Sequence, residues 1–174
     1  AGLSAEKVKI TGIPGRPELV SGNQDKASIR QSLGWRQDLF TVLAIGSKRV
    51  GNLYDSVHVL NHSGLPLQLV VAAGGDHDLF QRFKETEWHT EVQIFDFVSE
   101  MGTFLGASDC ILGKAGGLTV SEGLACGLPL ILIDVIPGQE TGNAEYVVTG
   151  NAGFLVSSPI EVLEVMCHWL ENDR

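Results

Sequence analysis

Residues 110–143 read CILGKAGGLTVSEGLACGLPLILIDVIPGQETGN. An apolar strand runs into a glycine turn, the turn opens a helix, and a second apolar strand ends in Pro137-Gly138-Gln139-Glu140. Two continuously apolar strands joined by one short helix predict a parallel pair covered by helices on both faces. A helix N-terminus reached through glycines is an anion site, because several backbone N–H groups point outward without partners. Ligands of open α/β sheets bind beyond the carboxyl ends of the strands, so the polar cluster after the second strand shares that crevice. Phosphates at one place and hydroxyls at the next suggest a nucleotide-sugar.

The same alternation extends to both ends of the chain. Strands are expected at Val8–Thr11, Leu39–Ile45, Leu67–Ala73, Glu91–Val98, Ala107–Leu112, Pro129–Ile133 and Phe154–Val156. Helices are expected at Asp25–Leu33, Asn52–Asn61, His77–Thr86, Ser99–Leu105, Thr119–Cys126, Gly142–Thr149 and Pro159–Leu170. Strand and helix in regular alternation predict an α/β fold, a Rossmann-like doubly wound parallel sheet, formed as one domain over residues 1–174.

The bulk numbers narrow the function. The 174 residues are 44% hydrophobic, enough for one full core, and the net charge of −9 argues against a nucleic-acid face. Lys48, Arg49 and Lys114 sit in or beside candidate loops, so the local potential can oppose the global sign. Cys110, Cys126 and Cys167 are odd in number and lie in apolar surroundings, which reads as a reducing compartment. The histidines His58, His62, His77, His89 and His168 have no zinc-like spacing; His58 and His62, four apart, could share a metal but read better as a solvated helix face. No apolar run approaches the roughly 20 residues that span a bilayer. The first residues lack signal-peptide character. A chain that starts without methionine and runs at once into a strand-like segment reads as a fragment of a longer protein, or as a processed end.

Three loops after strands carry the candidate chemistry. Gly46-Ser47-Lys48-Arg49-Val50-Gly51 has glycines five apart, but Asn52 and Leu53 stand where a P-loop needs Lys and Ser/Thr. It offers amides and cations to a phosphate or an acceptor, or is a plain turn. Asp76, after Gly74-Gly75, is favoured as the cap of the next helix. Gly113-Lys114-Ala115-Gly116-Gly117-Leu118-Thr119 is the strongest site, with glycines where a diphosphate could approach the amides of the first turn; the direction of Lys114 is not readable. Thr119-x-x-Glu122 fits a capping box, while Glu122 could equally accept two ribose hydroxyls. Gln139, Glu140 and Asn143 suit the hydroxyls of a hexose, or form a polar N-cap cluster. No nucleophile elbow and no general base stand out.

At these residues the sequence resembles the C-terminal domain of a GT-B glycosyltransferase. The resemblance is to the monogalactosyldiacylglycerol synthase group in particular, with processive diacylglycerol glucosyltransferases and MurG-like transferases as relatives. It is carried by Ile10–Pro17, Leu67–Gly74, Asp109–Gly117, Thr119–Pro129, Ile136–Asn143 and Tyr146–Gly153. The resemblance implies an inverting hexosyltransferase that takes a UDP-hexose donor and a diacylglycerol-type acceptor, with no metal or other cofactor. Gly116, Gly117, Leu118 and Thr119 would hold the diphosphate, Glu122 the ribose, and Gln139 and Glu140 the sugar with Asn143 close by. Main chain at Phe97 and Val98 would face uracil. The loop of Gly46, Ser47 and Lys48 would touch phosphate or acceptor, though it departs from the more glycine-rich loop of those synthases.

In that family the acceptor site, the membrane-docking surface and the catalytic base belong to an N-terminal domain. The chain alone is therefore expected to be inactive. The whole protein is expected to be cytoplasmic and peripheral at a membrane, with no nucleic-acid partner. Two rivals remain beside this reading: a non-catalytic donor-binding subunit that works with a separate membrane-bound acceptor subunit, and a UDP-sugar epimerase of the same two-domain fold.

Overall fold

A computed structural model describes residues 4–7, 9, 13, 25–48 and 51–172. After a short 3-10 turn at Ala5–Lys7, the elements are α1 (Lys26–Leu33), β1 (Phe40–Ile45), α2 (Leu53–Asn61), β2 (Leu67–Ala72), α3 (His77–Lys84), β3 (Glu91–Phe95) and α4 (Met101–Ala107). Then follow β4 (Cys110–Lys114), α5 (Gly117–Ala125), β5 (Leu130–Asp134), α6 (Thr141–Thr149), β6 (Gly153–Leu155) and α7 (Pro159–Asn172). The expected strand at Val8–Thr11 lies, apart from Lys9, outside the described residues.

The six strands form one parallel sheet in the order β3-β2-β1-β4-β5-β6. Side chains alternate across a strand, so a strand with helices on both faces is apolar at nearly every position, and its buried polar residues pair, as Gln68 does with Thr41 at 2.7 Å. Val42, Ala44, Leu69, Val71, Leu112 and Ile131 meet α2, α3 and α7 through Leu53, Val57, Leu60, Phe83, Val162 and Met166. Their neighbours Leu43, Val70, Ile111, Leu130 and Leu132 meet the other layer through Ile29, Phe104, Leu105, Val120, Ala144 and Val147. The doubly wound sheet expected from the continuous apolar runs is the observed one.

A buried polar knot ties the amino ends of the central strands. Arg30 is 5% exposed and donates from Nε to the Ala107 carbonyl at 2.8 Å and from a terminal nitrogen to Asp109. Asp109 also accepts from the Thr41 amide at 2.7 Å and from Lys26 Nζ at 2.8 Å. Burial pushes the Asp109 carboxyl upward, but the bonds from Lys26, Thr41 and Arg30 outweigh it and hold the group below the usual carboxylate range.

The boundaries correct several expectations. The helix before β4 runs on to Ala107 because Ser108 Oγ bonds back to the Phe104 carbonyl, and the strand starts only at Cys110. β3 ends at Phe95, since its only partner, β2, ends at Ala72 opposite it. Phe97 stands off the sheet at 72% exposure. Asp76 caps α3, accepting from the Leu79 amide at 3.1 Å, as expected.

Candidate functional site

β1 pairs with β2 on one side and with β4 on the other, so the strand order reverses between β1 and β4. Loops leaving two such strands diverge to opposite faces and open a crevice at the carboxyl edge. The glycine turn after β4 opens into it, and the Pro137–Glu140 turn follows β5, the next strand along.

α5 begins at Gly117 with Gly116 as its N-cap, two residues before the expected start. Thr119 is therefore inside the helix and cannot be its N-cap, which removes the capping-box reading of Thr119 and Glu122. Gly116 has no side chain to cap with, and the first intrahelical donor is the Val120 amide, 2.9 Å from the Gly116 carbonyl. The amides of Gly117, Leu118 and Thr119 precede it and stand at the positive end of a nine-residue helix. Leu118 is largely exposed, Thr119 half-buried, and Ile13 approaches Gly117 from the amino-terminal segment. Glu122 lies one turn further on, 7% exposed.

Lys114 points away from solvent and into the next loop. Its Nζ lies 2.8 Å from Glu140 Oε1, and Glu140 Oε2 accepts from the Ile136 amide at 3.0 Å. Glu140 is 4% exposed; burial raises its carboxyl, but Lys114 and the Ile136 amide outweigh this and keep it below the ordinary carboxylate range. Asn143 Nδ2 donates to the Ala115 carbonyl at 2.9 Å, a second bridge between the same two loops. Gln139, by contrast, is exposed at the turn. Of the three residues assigned to a hexose, one is thus presented to solvent and two are engaged with the β4–α5 turn. That cross-link was not visible in the sequence; the signal for it is that Lys114 ends β4 and Glu140 follows β5, two strands that pair with each other.

The loop after β1 is more committed than expected. The Gly46 amide donates to the Ala72 carbonyl at 2.7 Å. Gly74, at φ +70°, comes so close that a Cβ on it would lie 2.1 Å from the Gly46 carbonyl oxygen. Ser47 Oγ is buried with no hydrogen-bond partner among the described residues, and Lys48 is exposed. Arg49 and Val50 are outside the described residues. Phe97 and Val98 follow β3 at the same sheet edge, three strand spacings or about 14 Å from β4; Val98 packs on the second core layer.

The histidines do not make a metal centre. The rings of His58, His62 and His89 lie tilted and edge-on to one another with centroids 4.5 and 4.7 Å apart, and His62 Nδ1 is 3.0 Å from the His58 carbonyl oxygen. Among the described residues no group of three or more such side chains could hold a metal ion. Among them, too, no helix is long and apolar enough to cross a membrane.

Residues 48–159 match the model of the glycosyltransferase family 28 C-terminal domain. The chain belongs to this family. A probable monogalactosyldiacylglycerol synthase of Nicotiana tabacum is 35% identical over 97% of the chain and 33% of its own length. Monogalactosyldiacylglycerol synthase 3 of Arabidopsis thaliana is 35% identical over 99% of the chain and 39% of its own length. The chain thus spans between a third and two-fifths of the length of these relatives.

Solved structures share the fold at low identity. MurG of Acinetobacter baumannii superposes with a TM-score of 0.64 at 16% identity, over 87% of this chain and 46% of its own. WaaG, a glycosyltransferase of lipopolysaccharide biosynthesis, gives 0.65 at 19%, over 97% and 48%. MnaA of Staphylococcus aureus, solved with UDP, gives 0.64 at 14%, over 90% and 42%. The Rossmann-like half of a GT-B fold is the architecture of this family 28 domain.

Proposed function

We propose that this chain is the UDP-hexose donor-binding domain of an inverting hexosyltransferase that makes a glycolipid from a diacylglycerol-type acceptor. The observation that carries the reading is the uncapped start of α5, opening into the switch-point crevice one strand away from a polar turn. The diphosphate would lie on the amides of Gly117 to Thr119, the ribose toward Glu122, and the hexose at the Pro137–Glu140 turn. Uracil would reach the main chain at Phe97 and Val98. The similarity to monogalactosyldiacylglycerol synthases over nearly the whole chain supports galactose or glucose as the hexose.

The chemistry follows from where charge develops. An acceptor oxygen attacks the anomeric carbon from the face opposite UDP, the C1–O bond breaks, and its electron pair leaves with the β-phosphate. Helix-start amides aimed at that phosphate hold more charge in the transition state than in the ground state, as an oxyanion hole does. That role would make a divalent cation unnecessary at the leaving group. The acceptor's proton would go to a base outside this chain, in the remaining portion of a protein as long as its relatives. The same portion would bind the lipid and dock peripherally on the membrane.

A titration of the chain with UDP, UDP-galactose, UDP-glucose and NAD, followed by amide NMR and thermal shift, tests the reading. The uridine compounds should move the amides of Gly117 to Thr119 and raise the melting temperature, and NAD should do neither. A silent α5 start, or an equal response to NAD, would overturn it.

A further inference from the structure

We infer that Lys114 and Glu140 are a positioning pair that holds the diphosphate turn and the sugar turn in register without either side chain touching the donor. The inference rests on the donor-binding reading above. The β4–β5 ladder slips in register between Gly113 and Lys114 and beyond the slip keeps the Lys114–Asp134 pairing and a bond from the Ala115 amide to the Asp134 carbonyl at 3.0 Å, which hold the ends of the strands but not the Pro137–Glu140 turn. Beyond Asp134, side chains link the two turns. Lys114 reaches across to Glu140, Glu140 turns its second oxygen to the Ile136 amide, and Asn143 ties back to the Ala115 carbonyl.

Both oxygens of Glu140 therefore have partners, and at 4% exposure the group offers a sugar almost no surface. The pair also underlies the anion site: a Cβ on Gly116 would stand 3.5 Å from Lys114 Cε and 3.7 Å from Glu140 Oε1. The pair, buried at Glu140 and 24% exposed at the Lys114 side chain, resists opening, because breaking it strands the carboxylate away from water. A donor with phosphate and hexose at a fixed separation gains from both subsites only if they are held at that separation beforehand. Lys114 is thus a positioning residue, acting through Glu140, and Gln139 is left as the exposed side chain of the sugar turn.

Calorimetry with UDP and with UDP-glucose and UDP-galactose, on the wild-type chain, Lys114→Met, Glu140→Gln, the double variant and Lys114→Arg, decides it. The readout is the hexose increment, the ratio of UDP-hexose to UDP affinity. In each single variant that ratio should fall about tenfold while UDP itself stays within about threefold. The double variant should be no worse than the worse single variant, and Lys114→Arg should keep the ratio. Equal losses for UDP and UDP-hexose in Lys114→Met would make Lys114 a direct phosphate ligand and overturn the inference. Unchanged affinities with a lower melting temperature would reduce the pair to a structural one and overturn it as well.

Should the wild-type chain bind no uridine compound, the donor reading fails, and hydrogen exchange on ligand-free Lys114→Met still judges the pair. Faster exchange at Ile136 together with Gly117 to Thr119, with β1 and β4 amides unchanged, supports the register role. Opening of one turn alone sinks it.

Discussion

Gly116 has no conformational need to be glycine. Its φ is −64°, and a Cβ there would meet its nearest neighbours at 3.5 to 3.7 Å, ordinary van der Waals distances. The space above it is what an added methyl would take from an approaching phosphate. Gly116→Ala should therefore fold with a melting temperature within a few degrees of wild type, since Ala is no worse than Gly in the unfolded chain. UDP-hexose affinity should drop by about tenfold or more, because the helix amides can no longer be approached closely. Calorimetry on the folded variant checks this, and retained affinity would move the diphosphate elsewhere. Gln139→Ala, at an exposed turn position, should leave stability unchanged within about 0.5 kcal/mol. It should weaken UDP-hexose but not UDP, in contrast to the joint loss expected at Gly116.

At the level of elements, the pattern Ser/Thr-x-x-Glu occurs before α7 as well as in α5, and only one copy caps a helix. Ser158 precedes Pro159, whose fixed φ starts α7 there. The Glu161 carboxylate then accepts from the Ser157 amide at 2.9 Å, and its own amide faces Ser158 Oγ at 3.4 Å. In α5 the flexible Gly116-Gly117 lets the helix begin earlier and leaves Thr119 inside it. Ser158→Ala should cost about 1 kcal/mol in denaturant unfolding without changing ligand affinity.

The knot at the amino ends of β1 and β4 is worth more, because Arg30 is buried and would lose its partner. Asp109→Asn should destabilise the chain by about 2–4 kcal/mol, read from the midpoint of urea unfolding. The sign of its pH dependence follows from a carboxyl lowered in the folded state. Its contribution is fully present above the ordinary carboxylate value of about 3.9 and is lost as the pH falls through the lowered folded value. Asp109→Asn should flatten this part of the acid limb; an unchanged acid limb would remove Asp109 from the account.

For the whole molecule, ligand binding and stability are one quantity. A donor that binds only the folded chain adds about 2.7 kcal/mol at a hundred times its dissociation constant. For a domain of this size that is a rise of roughly 5–10 °C in the melting temperature. At that concentration UDP-glucose or UDP-galactose should produce it in the wild-type chain and about half of it or less in Gly116→Ala. A rise of the same size in both would place the ligand away from α5.

Period and composition were enough to determine the doubly wound fold: strands such as Leu67–Ala72 are apolar at every position but Gln68 because helices cover both faces, and no distant partner is needed to read that. The glycine turn that opens α5 was legible for the same reason, being made of consecutive residues of the chain. What residues do across strands was not legible. Lys114 and Glu140 are 26 apart in sequence, and whether they meet depends on β4 lying beside β5 and on the slip in that ladder. Helix start points were decided by backbone freedom in place, which made α5 begin at Gly117 and left Glu122 without the capping role its spacing allowed. Local hydrogen bonding and burial are written in neighbouring residues, whereas the partner of a charged side chain is chosen by packing between distant ones.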